Sequence, residues 1–272
     1  RNLLFKREYV INDHIKVMIP TVADVLENED SYYGSVSMLT AMPIDMMVQL
    51  DDIGIDFSTI NEWDLFLLLM PSLKKQDTSL IFGDLDLMRF APALDPQSNS
   101  IIMIDPATGA RIDRLILNRI AWVLRKVNYL EQNNRKPGNR EAKEYMIQRM
   151  RSKMRRDKKR EYDSQLENLI IAAVNSEQYH YGFEGTRELS IYQFNASVRQ
   201  VMKKNDYNNK MFGLYSGTIS AKDLRQDDFN FLIQKFKNLD KTLHFLSFAV
   251  SMMSRSLVVR ARGSSAPRPS AM

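Results

Sequence analysis

The chain has 272 residues, of which 44% are hydrophobic and 26% charged, and a formal net charge of +5. That length suits one large domain or two smaller ones, and the apolar fraction argues against wholesale disorder. Cysteine is absent, which excludes disulfides, thiolate zinc sites, iron–sulfur ligation and cysteine nucleophiles. The longest apolar run, Leu65–Met70, is far short of the roughly 20 residues that cross a bilayer, so no membrane partner is expected.

In chain order, Arg1–Lys6 is basic but has neither a long apolar core nor a small-residue cleavage site, so it is not read as a secretory signal. The missing initiator Met is read as trimming. Thr21 reads as an N-cap with Asp24 in the first turn, and Val22, Val25, Leu26, Tyr33, Val36 and Leu39 continue a helical stripe. Pro43 ends that helix and opens a second through Met46, Met47 and Leu50, stopping near Gly54. A third is expected from Ser58 or Thr59, burying Trp63, Phe66, Leu67 and Met70. Ser79–Phe82 and Leu85–Phe90 read as short strands around Gly83, and Ile101–Ile104 with Ala110–Ile112 as a hairpin over a Gly-containing loop. Asp113 can cap a helix carrying Leu115, Ile116, Ile120, Val123, Leu124 and Val127.

Asn133–Asn139 is polar and broken by Pro-Gly, and marks a boundary. Beyond it, Glu141 to about Tyr162 reads as a long basic helix, and Leu166, Leu169, Ile170 and Ala173 extend a helical pattern to about Tyr179. Ser190 and Gln193 form a capping-box signature ahead of Phe194, Val198, Val201 and Met202. Phe229, Leu232, Ile233, Phe236 and Leu239 suggest a last amphipathic helix. The stretch from Arg255 has four arginines, no acids and a Gly/Ser/Pro run, and reads as a weakly ordered tail, native or translated in a shifted frame. The expectation is an α+β protein, mainly helical, with a small antiparallel sheet around residues 79–112. Its regions are 1–132, acidic helices plus the sheet; 133–140, a linker; 141–250, mainly helical; and 251–272, the tail.

Charge is strongly divided. Pro20–Asp105 holds fifteen acidic and three basic residues, net −12; Asn133–Arg160 holds twelve basic and three acidic, net +9. The two blocks can face each other within a chain or between copies, or the basic block can meet nucleic acid. In the basic helix, Met146, Met150 and Met154 recur at i+4 beside Ile147, giving one apolar face, while Arg149, Arg151, Lys153, Arg155, Arg156 and Lys159 populate the rest. This is either a solvated helix anchored by methionines, an acidic-protein surface or a phosphate-binding surface. The sixteen methionines, with clusters at Met38–Met47 and Met252–Met253, fit ordinary core filling better than an adaptable binding surface.

Catalytic signals are sparse. No G-x-G-x-x-G or P-loop occurs, and Gly182-Phe183-Glu184-Gly185 reads as a turn. Asp84 and Asp86 would share one strand face, but turn capping beside Gly83 is the better reading. His180 has no nucleophile or orienting partner in sequence. Neither enzymatic activity nor a cofactor or metal site is expected.

Leu166-Glu167-Asn168-Leu169-Ile170, Ser190-Ile191-Tyr192-Gln193-Phe194, Lys203-Lys204-Asn205-Asp206-Tyr207 and Met211–Gly217 carry a likeness. On these, the segment Asp163–Leu232 resembles tail assembly chaperone-like proteins of tailed bacteriophages and phage-tail-like particles. Asp51–Phe57 and Ile81–Asp86 also look like small tail-module proteins. The resemblance implies a non-enzymatic role in the host bacterial cytoplasm, coating the tape measure protein or recruiting tail tube subunits, and it includes longer products made by frameshifting. That family is usually smaller and largely helical, so a permanent tail or connector component of the virion is the competing expectation, with nucleic-acid binding as another. The candidate partner-binding residues are Arg149, Arg151, Lys153, Arg155, Arg156, Lys159, Tyr192, Phe194, Tyr207 and Tyr215, and a homo-oligomer is compatible with the divided charge.

Overall fold

A computed structural model describes residues 2–96, 99–157 and 163–229. The protein is α+β and mainly helical, with two small antiparallel sheets. The chain opens on a hairpin of β1 (Glu8–Val10) and β2 (Lys16–Met18), which pair Tyr9 with Val17. No signal in the sequence reading pointed to this hairpin, because each strand is only three residues long.

Helices α1 (Val22–Glu27) and α2 (Glu29–Thr40) follow as two elements, not one. Asn28 breaks the helix with φ −131° and ψ 36°, which shifts the phase of the stripe; Tyr32, not Tyr33, is then the fully buried tyrosine, and Leu26 is exposed. A 3-10 turn at Pro43–Met46 leads into α3 (Met47–Asp52). α4 (Glu62–Leu69) begins later than Ser58: Asn61 caps it by accepting from the Trp63 and Asp64 amides, while Ser58 and Thr59 bond to Asp56 instead.

The expected strands at Ser79–Phe82 and Leu85–Phe90 are not strands. The first is the end of α5 (Lys75–Phe82), which buries Thr78, Ile81 and Phe82 at helical spacing; the second contains a 3-10 turn at Leu87–Arg89. A short, partly apolar run fits either period; here it is helical, packed against α2 and β2, and Gly83 closes it at φ +62°, with its N–H on the Ser79 carbonyl at 2.8 Å. The sheet lies just downstream, with β3 (Ala91–Leu94), β4 (Ile101–Ile104) and β5 (Arg111–Ile112) in that order; Pro92 is tolerated because β3 is an edge. The β4–β5 loop turns on Asp105, which accepts from the Ala107 amide (3.0 Å) and the Thr108 hydroxyl (2.8 Å). Those bonds hold the Asp105 carboxyl below its ordinary range.

Asp113 caps α6 (Arg114–Asn128) as read, and α7 (Arg140–Asp157), α8 (Gln165–Val174), α9 (Phe183–Glu188) and α10 (Ile191–Tyr215) complete the described helices. The main core joins the N-terminal hairpin, α1, α2, α4–α6, α8 and α10, so side chains from both sides of the 133–140 segment share it. A second cluster centres on α3 and α7. The readings of residues 230–239 as a helix and of 251–272 as a tail lie outside the described residues.

Two long-range tethers knit these parts. Glu29, only 8% exposed, accepts from the Ser164 hydroxyl (2.5 Å) and the Leu166 amide (3.1 Å), so the first residue of α2 also serves the N-terminus of α8. Thr21 with Asp24, and Ser190 with Gln193, form capping boxes on α1 and α10. These two helix starts are joined by an antiparallel bridge, Val22 N–H to Leu189 O and Ile191 N–H to Pro20 O, both 2.9 Å. Among the described residues, no helix is long and apolar enough to cross a membrane.

Candidate protein-interaction surface

α7 is built by its own sequence. Asn139 opens it by accepting from the Ala142 amide at 2.7 Å, and Met146, Ile147, Met150 and Met154 turn inward. Met154 is 7% exposed against the cluster of Ile44, Met46, Met47, Val48, Leu50 and Phe57. The methionines are therefore core filling, and they set the rotation of the helix.

That rotation divides the basic residues. Arg151 reaches Asp51 (2.8 Å) and Asp52 (2.7 Å) at the end of α3, and Lys143 reaches Asp56 (2.6 Å). The Lys143 ammonium, with the Ser58 hydroxyl and amide, holds the Asp56 carboxyl down to about 2. The acidic and basic blocks thus meet within one chain, one of the three arrangements the charge map allowed. Arg149, Arg155 and Arg156 are exposed and make no ion pair with a described residue; Lys153 is half-buried. Lys159 lies outside the described residues.

Tyr145, Arg149, Ser152 and Arg156, spaced 4-3-4, form one exposed stripe on the side of α7 away from the methionines. The sequence reading counted the cations and passed over Tyr145, which is 64% exposed. The signal was its placement four residues before Arg149. The stripe is preorganised, because the opposite face of the same helix is fixed by packing and two sets of ion pairs.

The α10 aromatics separate into different roles. Phe194 is fully buried, so it is a packing residue and not a partner contact. Tyr192 stacks on Tyr129 at 5.7 Å and 9°. Tyr129 itself ends α6 at φ +53°, a costly conformation for a bulky residue, held by that stack and by Arg199 at 5.0 Å over its ring. Tyr207 is half-buried. Tyr215 is 86% exposed and Phe212 75%, so the far end of α10 is the aromatic surface. The chain matches no family model, no curated protein and no solved structure.

The remaining candidates take structural places. Asp86 caps the 3-10 turn by accepting from the Met88 amide at 3.0 Å, and Asp84 points into solvent near Lys75. His180 is exposed, and Gly182 starts α9. Among the described residues, no group of three His, Asp or Glu is placed to hold a metal ion. The 133–140 segment is tied down: Gln132 donates to Glu62 (2.9 Å) and Asn133 to Asp45 (2.8 Å). Burial pushes the Asp45 carboxyl up and the nearby Arg125 guanidinium down; Arg125 closes α2 by donating to the Thr40 carbonyl at 2.7 Å.

Proposed function

We propose that this chain is a non-catalytic assembly protein that works by protein–protein contact, of the tail assembly chaperone type. The observation that carries the reading is the exposed Tyr145–Arg149–Ser152–Arg156 stripe on a helix fixed from behind. Arginine and tyrosine are enriched among the residues that anchor protein interfaces, tyrosine for contact area at small entropic cost and arginine for its fork of directed, charged donors. With Lys143 and Arg151 neutralised inside the chain, the surviving cations form a compact patch suited to an acidic face of a tape measure or tail tube protein, or of a second copy.

The test is Arg149→Glu with Arg156→Glu, assayed by light scattering after size exclusion and by pull-down with purified tail proteins. Loss of complex formation with an unchanged far-UV spectrum supports the reading; unchanged self-association and tail-protein binding refutes it. A transient chaperone and a permanent virion component differ in whether the chain is found in finished particles.

A second reading, nucleic-acid binding, is favoured by the exposed Tyr145 beside Arg149, a ring on which a base can stack next to a phosphate-binding cation. Four available cations (Arg149, Lys153, Arg155, Arg156) would give a salt slope of about −3 to −4 in log K against log salt. Binding to a DNA fragment with that slope, abolished by the same variant, would move the assignment to nucleic acid.

A further inference from the structure

A groove of about 620 Å³ opens between the 133–140 segment and residues 42–62, away from the α7 stripe. Ile44, Phe57 and Ile60 line one wall; Arg135, Lys136 and Arg140 stand along the opposite lip. Of the carboxylates around it, Asp56 is paired with Lys143, while Glu62 and Asp45 keep their charge on the residue 42–62 side, bonded to the neutral Gln132 and Asn133, so the positive charge is confined to the lip. Arg140 leans on Glu144 at 2.8 Å, an exposed pair that leaves its charge largely available. Asn134 and Lys136 are exposed residues, and their amide N–H groups bond to no described residue. Gln132 and Asn133 pin the start of the lip, so the groove stands open before anything enters it.

From the apolar wall, the cationic lip and the open amides together, we infer that this groove receives an extended acidic segment of a partner protein. An apolar side chain sits on Ile44, Phe57 and Ile60, flanking carboxylates meet Lys136 and Arg140, and its carbonyls accept from the open amides. Apolar contact supplies the anchor, charge complementarity sets the direction, and backbone pairing adds affinity without sequence demand.

The probe is a fluorescein-labelled peptide, Asp-Glu-Leu-Phe-Glu-Asp, titrated with the full chain by anisotropy, with amide shifts mapped by NMR. Saturable binding is expected, with shifts at Asn134, Lys136 and Ile60. Lys136→Glu with Arg140→Glu should weaken it at least tenfold, as should Ile60→Ser. The two lip residues are exposed, so their variant keeps the fold and the test stands even where Ile60→Ser unfolds the protein. Arg149→Glu with Arg156→Glu should leave the peptide affinity within twofold, which separates this groove from the α7 stripe. No saturable binding up to 1 mM overturns the inference. So does equal binding of Asp-Glu-Gly-Gly-Glu-Asp, loss in the α7 variant but not the lip variant, or a single-stranded DNA displacing the peptide from the same amides.

Discussion

Replacing Glu29 with alanine should cost the protein about 3 kcal/mol, although this residue lies far from either proposed binding surface. Its carboxylate accepts from the Ser164 hydroxyl at 2.5 Å and the Leu166 amide at 3.1 Å, across 135 and 137 residues of chain. Hydrogen bonds to a charged acceptor contribute about 1.5–3 kcal/mol each. Leu166 is fully buried, so its amide would be left without water to replace the lost acceptor. Favourable placement at the starts of α2 and α8 adds about 0.5–1 kcal/mol. Two effects oppose these: the carboxylate no longer has to be desolvated, and neighbouring Asp30, whose carboxyl is raised by burial and by the Glu29 charge, is relieved. The sum settles near 3 kcal/mol, and near 1.5 kcal/mol for Glu29→Gln, which keeps one acceptor but loses the charge. Urea unfolding followed by circular dichroism measures the global loss, and hydrogen exchange across Gln165–Val174 locates it. Local opening of α8 at that cost means exchange accelerated on the order of a hundredfold. A loss below about 1 kcal/mol for Glu29→Ala, or unchanged protection of α8, would refute the double-cap argument.

Other consequences can be checked in the same preparations. Met154→Ala should destabilise by about 2–3 kcal/mol and Arg151→Ala by less than about 1 kcal/mol, because burial contributes more than exposed ion pairs to holding α7; the reverse order in urea unfolding would show that charge dominates. Asp56 titrates near 2, below its ordinary value of 3.8, so its pairing with Lys143 contributes stability above pH 4 that is lost as pH falls through about 2. An NMR titration of its carboxyl should move toward the ordinary value in Lys143→Met, and a native midpoint at the ordinary value would contradict the pairing. Gln49 buries both polar side-chain atoms with no described partner, so Gln49→Met should raise stability by about 1 kcal/mol; a lowered melting temperature would count against that reading.

Helix starts were the most legible part of the fold. Thr21, Asp113 and Ser190 each cap the helix that their side-chain chemistry specified, because capping is local and depends on few residues. The methionine face of α7 was legible for the same reason, its period being intrinsic to the helix. Residues 79–82 were misread because Ile81 and Phe82 satisfy both periods, and what decides between them is burial against α2 and the hairpin. Of the candidate surface, the cations were visible but their fates were not. Whether Arg151 is spent on Asp51 and Asp52 or left for a partner depends on how α3 docks, a contact spanning about 100 residues. Phe194 and Tyr215 look alike in sequence, yet one is core and the other solvent, since the first turns of α10 enter the core through Ile191, Phe194 and Val198 while its last turn leaves Phe212 and Tyr215 outward.

The bridge between Thr21 and Ser190 sets an order of events during synthesis. Arg7 donates to the Glu188 carbonyl across 181 residues, and the Val22 and Ile191 amides close the same seam. The hairpin and α1 are synthesised before residues 188–191, so their last hydrogen-bonding partners come only when the segment before α10 is made. Until then the hairpin's inner face, with Ile15, Val17 and Ile19, can be covered only in part. Contacts of such long sequence separation form slowly. The nascent chain therefore carries this apolar surface until residues 188–191 are made, and closure of the seam is timed to their arrival.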